Sequence, residues 1–542
     1  MFSTHLITDV EDVPEFFNIA QACCDRWAKD KNKVAIIQKN ADGSVQRFTF
    51  AYLQQRANQL ANSLTAQGAQ IGDRIGIMLG QGIETAITHM AIYKIGAIAV
   101  PLFKLFGIDA IAHRAKNCAM SLVITDQEGF AKINSMWQEL PALRLCYVIN
   151  NTSQDPRVVD FNQALEQQSA EFVNHPTKAE DPALIIYTSG TTGHPKGALH
   201  AQRVLLGHLP GVEASHDGFP QTGDCMWTPA DWAWIGGLLD VFLPSLYHGI
   251  PVVAYRAEKF TAEDVFQLIE DLGIRNIFFP PTALKLLRSV ENPQNRWQLN
   301  LRTVASGGES LGVELLAWGD AALGVRINEF YGQTECNLVL SSWSRRGVFK
   351  PSAIGKAVAG FNIAIIDDTG QPVANGEAGH LAVATPNLSQ MLHYWDNPQA
   401  TAEKYIGNWL LTGDKASMDE DGYVYFLGRN DDVITSAGYR IGPTPIEDCL
   451  LKHPAVKLAA AIGKKDPIRT EVVKAYIVLH EGFSACSNTV SELQNHVRKQ
   501  LAAHEYPREI EFIQEMPMTT TGKIIRGALR ALEEQKAMGM TV

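Results

Sequence analysis

Apolar positions along this chain gather into short blocks that alternate with amphipathic stretches. "RIGIMLG" (74–80), "SLVITD" (121–126) and "ALIIY" (183–187) are continuous apolar runs of strand length, bounded by turn residues. "FTFAYLQQRANQLANSLTAQG" (48–68) instead spaces its apolar residues at helical intervals and stops at Gly68, which predicts a helix. "NIFFPPT" (276–282) and "TVASGGE" (303–309) each read as a strand running into a turn. Alternating strands and helices are the α/β signature, and active sites of α/β proteins collect at strand ends. The pattern contains no internal repeat and no low-complexity tract.

The pattern changes near "FLGRNDDVITSAGYRIGPTPIEDCLLKHPAV" (426–456), where Gly/Asp-rich turns give way to a strand, a glycine turn and a new helix. The stretch beyond this change is long enough for a small separate domain. The expected division is a large domain over 1–430 and a small α+β domain over 431–542. "RNDD" (429–432) carries no proline and suits a hinge.

Composition narrows the function classes. The chain has 542 residues, 46% hydrophobic and 19% charged, and a net charge of -11. These are the proportions of a globular protein with a sizeable core, and the acidic balance argues against a general nucleic-acid binder. The eight cysteines (23, 24, 118, 146, 225, 336, 449, 486) form no C-x-x-C pair, so reduced thiols are expected. The apolar stretches around 90–103 and 233–247 are interrupted by Lys94 and Asp240, and neither reads as a membrane span. The N-terminal "MFSTHLITDVEDVPEFF" carries acids where a signal peptide carries a basic region. The expected location is cytoplasmic.

"YTSGTTGHPKG" (187–197) carries the first chemistry. Gly190, Gly193 and Gly197 permit close backbone approach; Thr188, Ser189, Thr191 and Thr192 offer hydroxyls; Lys196 offers a mobile positive charge. Such a loop suits phosphate. It is not a Walker A loop, because Pro195 precedes the lysine and Gly197 follows it, and no G-x-G-x-x-G occurs. A flexible surface connector is the plain alternative.

That loop resembles the signature of the adenylate-forming enzymes: acyl- and aryl-CoA synthetases, luciferases and peptide-synthetase adenylation domains. "GGES" (307–310), "YGQTE" (331–335), "TGD" (412–414), "GRNDDVITSAGYRIG" (428–442) and "TTTGKIIR" (519–526) resemble the family's later motifs, in order and over nearly the whole chain. Ser310 stands where the family often has proline. The resemblance implies an α/β fold with a large N-terminal domain of several packed sheets and helices and a small mobile C-terminal domain. It also implies ATP, CoA and Mg2+. A carboxylate attacks the α-phosphorus of ATP to give an acyl-adenylate and pyrophosphate; a thiol then displaces AMP.

By the same resemblance the 188–196 loop holds the β- and γ-phosphates. Thr334 bonds the α-phosphate, and Glu335 ligates Mg2+, as an acidic oxygen suits a hard cation. Gly308, Glu309 and Gln333 belong to the nucleotide pocket, and Asp414 takes both ribose hydroxyls. Lys523 bridges the carboxylate and the α-phosphate as a cation rather than as a base. Asp431 aligns with the hinge, Arg429 with a neighbour that contacts nucleotide, and Arg440 with the arginine near the AMP phosphate. Gly438 lies beside the pantetheine tunnel. Rotation about the hinge would present two faces of one small domain to two half-reactions.

Gly332 bears on the acid. Acetate-specific relatives carry tryptophan there; glycine would leave a channel for several methylenes, each worth about 0.8 kcal/mol when buried. "TPADWAWIGGLLDVFLPSLYHG" (228–249) resembles the segment forming the other pocket wall, with Trp234 against the acyl group; a packed core tryptophan is the alternative reading. The expectation is a short- to medium-chain acyl-CoA synthetase. Aryl- or branched-acid ligation, transfer to a carrier protein in trans, and a silent nucleotide or acyl-adenylate sensor are the alternatives. Acetylation of Lys523 by a lysine acetyltransferase, reversed by a deacetylase, would remove the charge that adenylation needs.

Overall fold

A computed structural model of the protein describes residues 6–188, 195–255, 261–309, 311–429, 432, 434–436, 439–466, 470–501, 505–519 and 522–537. The chain divides into two compact units. The first comprises 1–349, 355–362 and 385–404; the second comprises 350–354, 363–384 and 405–542. The boundary expected at 430/431 lies inside the second unit.

The first unit is built on two sheets. One sheet has nine strands among the described residues, with parallel strands Val34–Lys39, Val252–Ala254, Met226–Trp227, Asn276–Phe278, Thr303–Gly307 and Ile327–Tyr331 at its centre. The other has eight, with Val158–Asp160, Leu145–Val148, Leu122–Thr125, Arg74–Met78, Ile98–Pro101 and Pro182–Tyr187 parallel, and Gly197–Ala201 and His393–Tyr394 antiparallel at one edge. The alternation of side chains along a strand sorts the core into layers. Ile36, Ile75, Leu122 and Ile124 join a cluster shared by both sheets. Their neighbours Ile37 and Val123 face separate clusters on the outer side of each sheet. Both faces of each sheet are therefore covered, which is why these strands read as unbroken apolar runs.

Helix Phe50–Ala66 lies in the shared layer. Thr49 caps it by accepting from the Tyr52 amide, and Gly68 ends it at φ +80°, a conformation that favours glycine. Strands are present at each of the expected positions 74–80, 121–126, 183–187, 276–282 and 303–309, the third starting one residue earlier at Pro182. No helix among the described residues is long and apolar enough to cross a membrane; 233–247 is broken into short helical segments and Asp240 is buried within it. Seven cysteines are buried, Cys486 is exposed, and all eight are free thiols.

The second unit holds an antiparallel sheet with strands Ile363–Ile366, Gly379–Ala384, Trp409–Met418, Tyr405–Ile406 and Val424–Arg429. A second sheet combines Ile434–Ser436, Tyr439–Ile441, Val456–Asp466, Thr470–Leu479 and Glu509–Phe512. Helices Pro443–Leu451 and Ser487–Gln500 supply Ile446, Leu450, Leu493 and Val497 to its core. Leu529 of helix Arg526–Ala537 packs in a separate cluster with Ala460, Ile462 and Tyr476.

Candidate functional site

Three loops of the first unit leave the carboxyl ends of parallel strands in one sheet. Thr303–Gly307 and Ile327–Tyr331 pair in register, with Gly307 opposite Phe330, so Gly308–Glu309 and Gly332–Glu335 emerge side by side. Trp234 follows strand Met226–Trp227 of the same sheet. Ligands of open α/β sheets bind at such ends. A Cβ at Gly307 would meet the Phe330 carbonyl oxygen at 2.7 Å, and Gly308 has φ +103°, so both glycines answer to the backbone. Glu309 is half-buried, with Lys285 Nζ 3.9 Å from its Oε2.

The phosphate-type loop is the connection between antiparallel strands Pro182–Tyr187 and Gly197–Ala201 of the other sheet. Ser189, Gly190, Thr191, Thr192 and Gly193 lie outside the described residues, but the base of the loop is defined. The Thr188 amide donates to the Lys196 carbonyl at 2.9 Å, and His113 Nε2 lies 3.0 Å from the Pro195 carbonyl oxygen. A Cβ at Gly197 would lie 2.8 Å from Ile185 Cγ2, so any side chain there requires its neighbours to move. The Lys196 ammonium stands 5.3 Å from the centroid of the Tyr394 ring, a cation–π distance.

Tyr394 links this loop to the strand-end loops. Its hydroxyl donates to Glu335 Oε1, and the Met391 amide donates to the Glu335 carbonyl at 2.9 Å. Strand His393–Tyr394 in turn pairs with Leu199 and Ala198. Glu335 is 7% exposed, a carboxylate held at the edge of the interior. Thr334 and Gln333 are half-buried beside it, and Lys404 Nζ donates to Gln333 Oε1 at 2.9 Å. Among the described residues no three His, Cys, Asp or Glu side chains cluster to hold a metal. A single carboxylate still fits Mg2+, which commonly takes one or two carboxylates together with substrate phosphates.

Trp234 is half-buried and belongs to an aromatic group, with ring centroids 5.6 Å from Phe103 and 5.7 Å from Phe106. The Arg114 guanidinium lies 4.0 Å from the Phe106 centroid and 5.6 Å from that of Tyr187. A chain of contacts through Phe106 and Arg114 therefore runs from Trp234 to Tyr187, at the base of the phosphate-type loop. Burial pulls the Arg114 pKa down to about 10, with Tyr187 opposing.

Gly332 has a different geometry from the channel expected of it. A Cβ there would lie 2.1 Å from the Leu338 nitrogen and 2.5 Å from Asn337 Oδ1. The space in front of this glycine is filled by the chain itself, so its lack of a side chain opens nothing by itself. The turn 332–338 closes so tightly that only glycine fits, with Leu338 at φ +58°.

In the second unit, Asp414 and Arg429 are opposite each other on strands Trp409–Met418 and Val424–Arg429, with Arg429 Nε 3.8 Å from Asp414 Oδ1. Asp414 is 8% exposed, and its amide donates to Thr412 Oγ1. Asp431 and Gly438 lie outside the described residues, as does the side chain of Arg440; its backbone belongs to strand Tyr439–Ile441. Lys523 is exposed in a tight turn: its carbonyl accepts from the Thr519 amide at 2.7 Å and its amide donates to Thr519 Oγ1 at 3.0 Å. Gly522 supplies φ +82° there.

Sequence reasoning missed several partners. Arg526 reaches Glu447 Oε2 at 2.5 Å and Asp432 Oδ2 at 3.3 Å, and Arg530 reaches Asp432 Oδ1 at 2.6 Å. These pairs tie the segment after Lys523 to Asp432, just past the expected hinge, and to helix Pro443–Leu451. Tyr394, Lys404 and His113 were also missed, since each lies far along the chain from its partner. Asp240 drew notice for interrupting an apolar run, which was a usable signal.

The sequence pattern of the AMP-binding enzyme family matches residues 24–395, and that of the AMP-binding enzyme C-terminal domain matches 445–523. The acetyl-coenzyme A synthetase of Bacillus subtilis is 34% identical over 95% of this chain and 90% of its own. The mitochondrial acyl-coenzyme A synthetase ACSM4 of Rattus norvegicus is 32% identical over 97% and 92%. Among solved structures, the anthranilate CoA ligase AuaEII in complex with anthranoyl-AMP superposes with a TM-score of 0.89 at 28% identity, covering 97% of this chain and 99% of that one. A Brucella canis acyl-CoA synthetase gives 0.74 at 34%, covering 98% and 96%.

Proposed function

This chain belongs to the AMP-binding enzymes, and we propose that within that family it joins short- to medium-chain carboxylic acids to CoA. The enzyme class is an AMP-forming acid–CoA ligase, with ATP and CoA as substrates. Its chemistry has two steps. A carboxylate oxygen bonds to the α-phosphorus as the bond to pyrophosphate breaks. The CoA thiol then loses its proton as its sulfur bonds to the acyl carbon, and AMP leaves with the bridging anhydride oxygen.

The observation that carries the reading is the junction at Tyr394, which brings the Lys196 ammonium and the Glu335 carboxylate to one ring. A cation and a hard anionic ligand on adjoining loops suit a triphosphate escorted by Mg2+. In the proposal the 188–196 loop holds the β- and γ-phosphates, Thr334 the α-phosphate and Glu335 Mg2+. Gly308, Glu309 and Gln333 border the adenine, Asp414 and Arg429 take the ribose side, and Arg440 approaches the AMP phosphate. Lys523 neutralises charge between carboxylate and α-phosphate. Residues 431–542 then turn about Asp431, so that Gly438 borders the thiol's path. A cytoplasmic location completes the proposal.

The test is AMP release from ATP, with and without CoA, across straight, branched and aromatic acids from acetate upward. CoA-dependent AMP with aliphatic acids is expected. Pyrophosphate exchange without CoA-dependent AMP would overturn CoA as acceptor and point to a carrier protein. Aryl-acid ligation is the second reading, favoured by the Trp234–Phe103–Phe106 group, whose rings could stack on a flat acid. An optimum with aromatic acids would establish it.

A further inference from the structure

Asp240 and Asn337 have no part in the roles above, yet they are joined at the centre of the first unit. Asp240 sits on the π-helical turn Leu238–Phe242 and is 2% exposed. Asn337 is 4% exposed, and its Nδ2 donates to both Asp240 oxygens, at 2.7 and 2.9 Å. Burial pushes the Asp240 carboxyl up to about 8, against the opposing effect of the Asn337 bond. A carboxyl and an amide buried together in an apolar layer are costly to desolvate, and packing alone would be served better by leucine.

Each of the two stands before a glycine. Asp240 Oδ2 lies 3.5 Å from the Cβ position of Gly236, which Phe278 also approaches to 2.9 Å. Asn337 Oδ1 lies 2.5 Å from the Cβ position of Gly332. Gly236 is two residues beyond Trp234, and Gly332 opens the turn to Thr334 and Glu335. The pair therefore bridges the 228–249 segment to that turn and stands beside the Cβ positions of two glycines, where Phe278 and the Leu338 backbone lie nearer still. Single π-helical turns such as Leu238–Phe242 are frequent at functional sites.

We propose that Asp240 and Asn337 are specificity-determining residues that close the acyl site beside Gly332, so that it takes short acids and stops longer chains against a polar wall. The proposal rests on reading residues 228–249 and Gly332 as the acyl site. Asn337 supplies the closing volume, and Asp240 holds its amide in place. A longer chain must either displace the amide from the carboxyl or lie against polar atoms it cannot satisfy, and both disfavour it.

The experiment compares CoA-dependent AMP release with straight-chain acids from acetate to decanoate for the wild type, Asn337→Ala, Asp240→Ala/Asn337→Ala and Asp240→Asn. For the wild type, kcat/KM is expected to fall about tenfold or more from butanoate to octanoate. Asn337→Ala and the double variant are expected to raise the octanoate-to-butanoate ratio about tenfold or more, chiefly through the KM of the longer acid. Asp240→Asn keeps the volume and a polar partner and is expected to keep the wild-type ratio. Thermal unfolding checks that each variant is folded; the single Asn337→Ala variant carries the test if the double variant is not. An unchanged ratio in folded Asn337→Ala, or a wild type that prefers octanoate, overturns the closure while leaving the ligase reading intact. A wild type that releases no CoA-dependent AMP with any acid overturns both.

Discussion

Tyr394 donates its hydroxyl hydrogen to the Glu335 carboxylate while the same ring faces the Lys196 ammonium. The strand pairing of His393–Tyr394 with Ala198 and Leu199 fixes the ring between the two loops. Hydrogen bonds to charged groups contribute about 1.5–3 kcal/mol, so Tyr394→Phe is expected to lower kcat/KM for MgATP by about 10- to 100-fold. Much of the loss should appear as a higher requirement for Mg2+. Steady-state kinetics at several Mg2+ concentrations check this; wild-type behaviour would mean Glu335 is placed without Tyr394.

Lys523 is presented by a compact turn that Thr519 closes and Gly522 permits. Charge stabilisation of a transferring phosphoryl group contributes about 10²–10³ in rate. Lys523→Gln, which also imitates acetylation, is expected to lower pyrophosphate exchange by about that factor while leaving the melting temperature unchanged. Normal exchange would sink both the catalytic role and the acetylation hypothesis.

Legibility in the sequence depended on chain distance. The strands at 74–78 and 183–187 and the helix at 50–66 follow from local periodicity and a glycine stop, and the structure has them as expected. The site loops were legible because each is contiguous and begins where an apolar run ends. Glu335–Tyr394, Gln333–Lys404 and Arg526–Asp432 join residues dozens of positions apart, and no local pattern encodes such pairs. Gly332 shows the opposite failure. A missing side chain suggests empty space, but the turn fills that space with its own backbone at Leu338.

The same geometry sets the outcome of Gly332→Trp. With a Cβ 2.1 Å from the Leu338 nitrogen, the indole cannot enter without moving main chain. Overpacking of this kind costs about 1–3 kcal/mol or more. The expected result is a lowered melting temperature and reduced activity with every acid, rather than a clean switch to acetate. A stable, acetate-selective variant would show that the turn can open.

Arg526 stands between Glu447 and Asp432, both largely buried. Burial is the largest single effect and pulls its pKa down, but the two carboxylates together outweigh it and push the pKa up. Removing one partner of a buried ion pair costs about 3–5 kcal/mol, because the remaining charge is left uncompensated. Arg526→Met is therefore expected to destabilise the second unit by about that amount, read by urea unfolding of the full chain. Arg526→Lys should recover part of the loss, since a point charge cannot serve both carboxylates in the same fork geometry. A change under about 0.5 kcal/mol in Arg526→Met would place these groups in water, as exposed pairs contribute little.

Asp240 makes stability depend on pH in a direction opposite to that of a salt-bridged carboxylate. Burial raises its pKa from an ordinary value of 3.8 to about 8. Above about pH 4 the unfolded chain has released this proton while the folded protein keeps it, so the folded state binds more protons. Stability then falls as pH rises, and the decline ends near pH 8, where the folded form also ionises. Asp240→Asn retains the shape without the proton and should escape the decline. Its melting temperature, relative to wild type, is expected to rise by at least about 2 °C between pH 5 and pH 8. A difference that stays constant across that window would mean that Asp240 is ionised in the folded protein, with the Asn337 amide stabilising a buried charge.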